Sequence, residues 1–329
     1  MTRLILATSD LAGTLLRQAG RADIVIGFKP RFVWGRLPSQ GELETSLQAR
    51  SAEHRDLGAH WLDFISAEYV AAVGGTDLGL LELCERCDSI ELWADPGAND
   101  QLVLIWLLDV LRPHQNILSK LVLVQTDADV ASHGGVNLAQ WRLPKLAVTD
   151  DRLRLASRAW NAYRASTPQS CFDLLMEDLT ALPRLRPALI ALLEELPHQM
   201  TGLGATEYQM LELLSEGWEV PARLVSEVCD ERGVFDSQEA ESILDRLAYC
   251  RTPVVAGFPP EMERPGDAKA RWECFLQSRL TMTDFGEEVL KHELDFSQYN
   301  PVNRWWGGTE LIKERLWRWD AKSRALVAP

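Results

Sequence analysis

The sequence predicts an α/β protein: a Rossmann-like three-layer N-terminal domain followed by a mainly helical, winged-helix-like C-terminal part. Three observations carry that reading. Short apolar runs of strand type alternate with helical patterns up to about residue 145, the order produced by parallel strands joined through crossover helices. The strand-type runs end in polar residues that open the next helix, most clearly in ELWADPGANDQLVLIWLLDVL, Glu91 to Leu111. From Thr149 onward the pattern is helical, with clear start signals.

Arg3 to Thr8 (RLILAT) is the first apolar run; Ser9-Asp10 then opens a helical pattern that reaches Gln18 and stops at Gly20. Ala22 to Phe28 is a second strand, and Phe32 to Gln40, with Gly35, Pro38 and Gly41, is a loop rich in breakers. Glu42 to Tyr69 has helical periodicity, with Leu43, Leu47, His54, Leu57, Trp61, Leu62 and Phe64 facing inward. A helix from Leu78 to Cys87 leads to a buried strand, Ile90 to Ala94. A polar turn holding Asp95, Asn99 and Asp100 follows, then an apolar helix opening at Gln101; Lys120 to Gln125 is the next strand.

In the second half, Thr149 precedes the helical face Leu153, Ala156, Trp160 and Tyr163, and Thr167-Pro168 reads as an N-cap with proline at the first helical position. Thr206 to Gln209 has capping-box spacing, Pro221 opens the next helix, and Asp236 or Ser237 opens a third. Thr252 to Phe258 and Phe275 to Met282 read as strands. Three short helices and a two-stranded ribbon is the order of a winged helix. The expected domains are residues 1–147 (α/β), 148–200 (connecting helices) and 201–329 (winged-helix-like, with a Trp-rich tail from Asn303 to Trp319).

The formal charge of −14, with both halves acidic, argues against adhesion to nucleic acid or anionic membrane. Met1 to Ala12 does not read as a secretory leader, and the apolar run Leu102 to Leu111 contains Asp109 and is too short to span a bilayer. Six unevenly spaced cysteines do not form a disulfide framework. A soluble cytoplasmic protein with reduced thiols is the expectation.

Ligands of parallel α/β sheets bind beyond the carboxyl ends of the strands, where helix N-termini attract anions. Three such ends are expected on one edge: Thr8-Ser9-Asp10, Asp95 to Gln101 and Asp127 to Gly135. Gly13 would permit close backbone approach there. Against this, Ser, Asp and Asn before a helix are ordinary caps. Asp95 and Asp100 have the chemistry of an acid/base pair or a metal site, but paired acids on a turn are more often merely solvated, so no metal is assigned. Cys84 and Cys87 have CxxC spacing inside an amphipathic helix, which favours two core thiols over a zinc or redox site. His133, before Gly134-Gly135, is the histidine best placed for catalysis, although a plain loop histidine fits as well. No GxSxG, Walker A or GxGxxG motif occurs, so catalytic residues, cofactor and reaction stay unassigned. The third helix of the winged-helix-like segment carries Asp236, Glu239, Glu241 and Asp245 against Arg246, which disfavours a DNA groove.

Taken together, Ser9-Asp10 with Gly13, LWADPGANDQLVLIWLL, AWNAYRA (159–165), GLGATEYQMLELL (202–214), LTMTDFGEEVL (280–290) and NRWWGGTEL (303–311) resemble the bacterial family known as domain of unknown function 1835, with its C-terminal companion domain. The family brings no reaction with it. The resemblance implies that Asp10, Asp100, Gln101, Trp160, Arg164, Glu207, Arg304, Trp305 and Gly307 occupy recurring motif positions. The chain departs from the family's second motif, which has an Asp and a Gly-Pro: here GFKPRFVWGRLP places Lys29 or Arg31 near the expected acid and displaces the proline to Pro38.

The resulting expectation is a small anionic or nucleotide-like ligand bound by Ser9, Asp10, Asp95, Asn99, Asp100 and Gln101, with Arg164 and Arg304 as cationic clamps near the domain junction. Two alternatives stand beside it: a winged-helix transcriptional regulator, and a non-catalytic interaction module that meets a protein partner through the Trp-rich tail.

Overall fold

The computed structural model describes residues 1–50, 60–64, 77–130, 138, 141–259 and 268–329. They form a mixed α/β protein with a mostly parallel five-stranded sheet. The chain divides into two compact units: Met1–Phe32, Leu37–Arg164 and Asp173–Ala188 make the first, and Val33–Arg36, Ala165–Phe172 and Leu189–Pro329 the second. No helix among the described residues is long and apolar enough to cross a membrane.

The sheet of the first unit runs β2-β1-β3-β4-β5, where β1 is Arg3–Ala7, β2 Ile24–Gly27, β3 Ser89–Ala94, β4 Leu121–Gln125 and β5 Leu146–Ala147. The first four are parallel and β5 is antiparallel to β4. Every residue of β2, and all of β1 after Arg3, is buried, which is why these strands read as unbroken apolar runs rather than alternating ones. Chain order reverses across β1: β2 lies on one side of it and β3 on the other.

Helix α1, Asp10–Gln18, is capped by Ser9, whose hydroxyl accepts from the Ala12 N–H at 3.0 Å. Gly13 lies on its strand-facing side. A Cβ there would stand 2.5 Å from Gly27 Cα, so this glycine serves helix-on-strand packing, and its expected use as a backbone approach for a ligand is corrected. The helix expected from Glu42 to Tyr69 is also corrected. Helix α2, Gln40–Leu47, is closed by an extended Gln48, whose carbonyl meets Nε2 of His60 at 2.9 Å and accepts from Trp61 Nε1 at 3.1 Å. Tertiary hydrogen bonds thus end what sequence periodicity would continue. A 3-10 turn occupies Trp61–Phe64, whereas His54 and Leu57 lie outside the described residues. Helix α3, Leu80–Arg86, buries Cys84, and Cys87 behind it is buried too.

Helix α4, Ala98–Leu111, begins three residues earlier than expected, so Asn99 and Asp100 sit in its first turn and not in the preceding loop. The extended Gly97 supplies the break. Leu102 to Leu108 is buried on every side of this helix, and one flank is covered by α6, Asp150–Tyr163, which Thr149 caps. A short helix, α5, Gln115–Leu118, leads into β4. Helix α7, Gln169–Leu174, follows Pro168, and α8 runs from Leu185 to Glu194.

In the second unit, α9 (Ala205–Ser215), α10 (Pro221–Arg232) and α11 (Ser237–Tyr249) pack around Met210, Leu214, Leu224, Val228, Ile243 and Leu247. Pro221 starts α10, a left-handed Gly233 ends it, and Asp236 with Glu239 forms a capping box for α11. The box expected at Thr206 and Gln209 is shifted: Glu207 accepts the Gly204 N–H at 2.6 Å, while Thr206 is buried and donates to Glu195. The ribbon is β6, Val255–Ala256, against β7, Thr281–Met282. Phe275, expected in a strand, lies in helix α12, Ala268–Gln277, a stretch rich in helix formers. Helices α13 (Asp284–Leu290) and α14 (Phe296–Tyr299) precede two hairpins, β8 (Arg304–Trp306) with β9 (Thr309–Leu311) and β10 (Arg318–Asp320) with β11 (Ala325–Val327). The Trp306 indole donates to the Leu192 carbonyl at 2.6 Å, and the Trp319 side chain packs edge-on to Phe172. These two tryptophans anchor the tail within its own unit.

Candidate functional site

At the carboxyl edge of the sheet the turns after β1 and β3 meet. The Thr8 N–H donates to the Trp93 carbonyl at 3.0 Å, and the Thr8 hydroxyl donates to Asp100 Oδ1 at 2.7 Å. The Asp95 N–H reaches the same hydroxyl at 3.4 Å. The end of β4 joins through Thr126, which donates to Asp95 Oδ1 at 2.8 Å, and the Val130 N–H donates to that oxygen at 3.3 Å. The Gln101 amide nitrogen donates to the Asp95 carbonyl at 2.7 Å, while its own Oε1 is buried with no donor. Thr8, Asp95, Gln101 and Thr126 are all buried.

The two carboxylates here accept from neutral donors. Burial, reinforced by the neighbouring Asp100, pushes Asp95 up to about 7 against the pull of Thr126. Burial also lifts Asp100 to about 6, with Asp129 adding to the shift and both the Thr8 hydroxyl and Arg31 opposing it. Both groups therefore change charge near neutral pH, as an acid, base or proton-sensitive ligand contact requires.

The other expected ligand residues are placed differently. Ser9 is occupied as the α1 cap. Asp10 lies at the surface in an ion pair with Lys29 at 3.3 Å. Asn99 is buried with both arms used: Oδ1 accepts from the Phe32 N–H at 2.8 Å and Nδ2 donates to the Pro30 carbonyl at 3.0 Å, which staples the loop after β2. Arg164 stacks over the Trp160 ring at 5.6 Å and donates to Gln40 at 3.3 Å within the first unit. Arg304 belongs to the second unit, where it donates to Glu207 at 2.8 Å and to the Glu195 carbonyl at 3.1 Å. His133 lies outside the described residues.

Thr126 is a member of this neighbourhood that sequence reading did not single out, and Arg31, noted there only for its place near the expected acid of the second motif, also acts on Asp100. The available signal was position: Thr126 immediately follows the apolar run of β4, as Thr8 follows β1. The CxxC cysteines are core thiols, and burial pushes both upward and away from reactivity. Among the described residues no three His, Cys, Asp or Glu side chains group so as to hold a metal ion. On α11, Asp245 is paired with Arg271, and Arg246 with Glu207.

The chain matches no family model and no curated relative. Among solved structures it is similar to the DNA-binding, cleavage and re-ligation domain of Plasmodium falciparum topoisomerase II, at 10% identity and a TM-score of 0.37, covering all of this chain and 54% of that one. A likeness that slight supports no argument about activity.

Proposed function

We propose that the carboxyl edge of the sheet binds a small nucleotide-like ligand that presents both hydroxyls and an anionic group. The observation that carries the reading is the Thr8–Asp100 hydrogen bond, which joins the two turns on either side of the point where strand order reverses. In Rossmann-like, doubly wound sheets that reversal opens the ligand crevice. Asp95 and Asp100 are suited to accept from ligand hydroxyls. Lys29 and Arg31, on the loop after β2, and the start of α4, which no side chain caps, supply positive potential for the anionic part. In this reading Arg304 is a scaffold residue and the resemblance to the domain of unknown function 1835 remains a family proposal.

A thermal-shift and calorimetric panel of nucleoside mono-, di- and triphosphates, dinucleotides and sugar phosphates tests the site. At least one nucleotide is expected to raise Tm, and Asp100→Asn should weaken it about tenfold or more. Asp10→Ala, which releases Lys29 from a surface ion pair, should not weaken binding. Absence of any shift across the panel would sink the proposal.

We read the three helices and ribbon of the second unit as a winged-helix-like module used for packing. The basic residue on its third helix, Arg246, is already paired with Glu207. Salt-dependent retention on DNA would overturn that.

A further inference from the structure

The second unit contains a cavity of about 140 Å³ that the sheet-edge reading does not use. Glu207, Arg246 and Arg304 give it a charged wall, Phe296 and Val302 an apolar one, and Asn303 is its exposed member. We propose that this cavity binds one phosphate group, free or as the head of a phosphate monoester, between the Arg246 and Arg304 guanidiniums.

The two guanidiniums converge on a single oxygen. Arg246 Nη2 donates to Glu207 Oε1 at 3.0 Å and Arg304 Nη1 donates to the same atom at 2.8 Å, while Oε2 accepts the Gly204 N–H at 2.6 Å. Two cations thus stand less than two hydrogen-bond lengths apart and share one carboxylate, which leaves this wall with a net positive charge. Burial lowers Arg246 from the usual guanidinium value, Glu207 opposes that, and Arg304 lowers it further. An anion on the cavity side would relieve a repulsion that Glu207 offsets only in part.

The donors such an anion needs are present and reachable. The Arg246 and Arg304 side chains are 39% and 21% exposed, and both line the cavity. Among the described residues nothing accepts from Nε or Nη1 of Arg246, or from Nε of Arg304, and none of the three is shut off from solvent. The Trp34 ring lies over the Arg246 guanidinium at 6.0 Å, so that group offers a ligand its edge, where the N–H fork matches a phosphate. The neutral polar groups on the wall are occupied elsewhere. Asn300 accepts the Thr252 N–H at 2.8 Å and donates to the Thr252 carbonyl at 2.9 Å, and the Cys250 thiol donates to that carbonyl at 3.3 Å. Recognition therefore falls to charge. Size narrows the class further, because the cavity is below the roughly 300 Å³ at which sites for drug-sized ligands begin.

Calorimetry with inorganic phosphate and with glycerol phosphate tests this directly, with choline as the cationic counterpart. At least one phosphate should bind saturably, more weakly as sodium chloride is raised, and choline should not bind. Tighter glycerol phosphate would make the ligand an ester head, and tighter inorganic phosphate the free ion. Arg246→Gln keeps a polar side chain but removes the fork and its charge, and should weaken binding about tenfold. Asn303 provides arms that leave the buried pairs alone: Asn303→Asp should weaken phosphate about threefold and Asn303→Lys should tighten it by a similar factor. These carry the test should Arg246→Gln fail to fold by circular dichroism. No saturable binding of either phosphate, or an affinity unchanged in the folded variants, overturns the proposal. Nucleotide binding at the sheet edge is read through Asp100→Asn and phosphate binding here through second-unit variants, so failure of either test leaves the other reading standing.

Discussion

Glu207 and Asp95 are both buried carboxylates, and the chain surrounds them in opposite ways. Glu207 receives Arg304 at 2.8 Å, Arg246 at 3.0 Å and the Gly204 N–H at 2.6 Å. Burial alone would raise it, but the two guanidiniums outweigh burial and hold it below the usual glutamate range. Asp95 has a hydroxyl, a backbone N–H and a second carboxylate for neighbours, and burial wins. The contrast separates two uses of a buried acid. One with full counter-charges is a fixed structural tie; one among neutral donors keeps a titratable proton, which costs stability and suits a binding edge.

The largest expected effect tests the structural tie. Glu207→Ala leaves Arg246 and Arg304 without their carboxylate and removes the reciprocal half of the α9 cap. It should cost about 3 kcal/mol or more, read as a lower urea midpoint. A loss under about 1 kcal/mol would place Glu207 with ordinary surface pairs and dissolve the comparison.

Next in size is the pH dependence, where the two acids should differ in sign. Asp95 has a folded value above its unfolded one. Its ionisation therefore favours unfolding, and stability falls as pH rises from about 4 to about 7. Glu207 is held below its unfolded value, so its contribution is present at neutral pH and is lost as pH falls below the ordinary glutamate range. Asp95→Asn should thus gain on the parent protein between pH 5 and pH 8, by on the order of 2 kcal/mol. Glu207→Gln should do most of its damage at pH 8 and progressively less in acid. Parallel pH profiles for the two variants would contradict the assignment.

These ties also show which features local sequence can reveal. The strands were legible because burial on both faces leaves a continuous apolar run, and Ser9, Thr149 and Asp236 were legible as caps because a cap is a local hydrogen bond. The edge residues Asp95 and Asp100 were visible as polar residues after a strand. Their partner Thr8 is 92 residues from Asp100, and only the strand order brings the two together. Gly13 could not reveal its use because its neighbour, Gly27, is set by packing. The helix end at Gln48 depends on His60 and Trp61, and no local breaker marks it. The cavity beside Arg246 gathers residues from Gly202 to Arg304, beyond any periodic pattern. Arg164 and Arg304 looked like clamps on one ligand because a cation's partner is not written beside it.

The smallest expected effect sharpens the comparison at the edge itself. Thr8→Val keeps the shape of the side chain and removes the hydroxyl that Asp100 accepts. At pH 8, where Asp100 is ionised, the lost donor served a partly buried charge and should cost about 1.5 kcal/mol. At pH 5 Asp100 is largely protonated, since it sits near 6, and the lost bond should cost about 0.5 kcal/mol. Removing the hydroxyl also removes an influence that lowers Asp100, so its titration, followed by carboxyl carbon NMR, should move upward. An equal stability cost at both pH values, with no movement of Asp100, would mean that the hydroxyl only fills space. The edge would then be a structural tie like the one at Glu207, built from weaker parts.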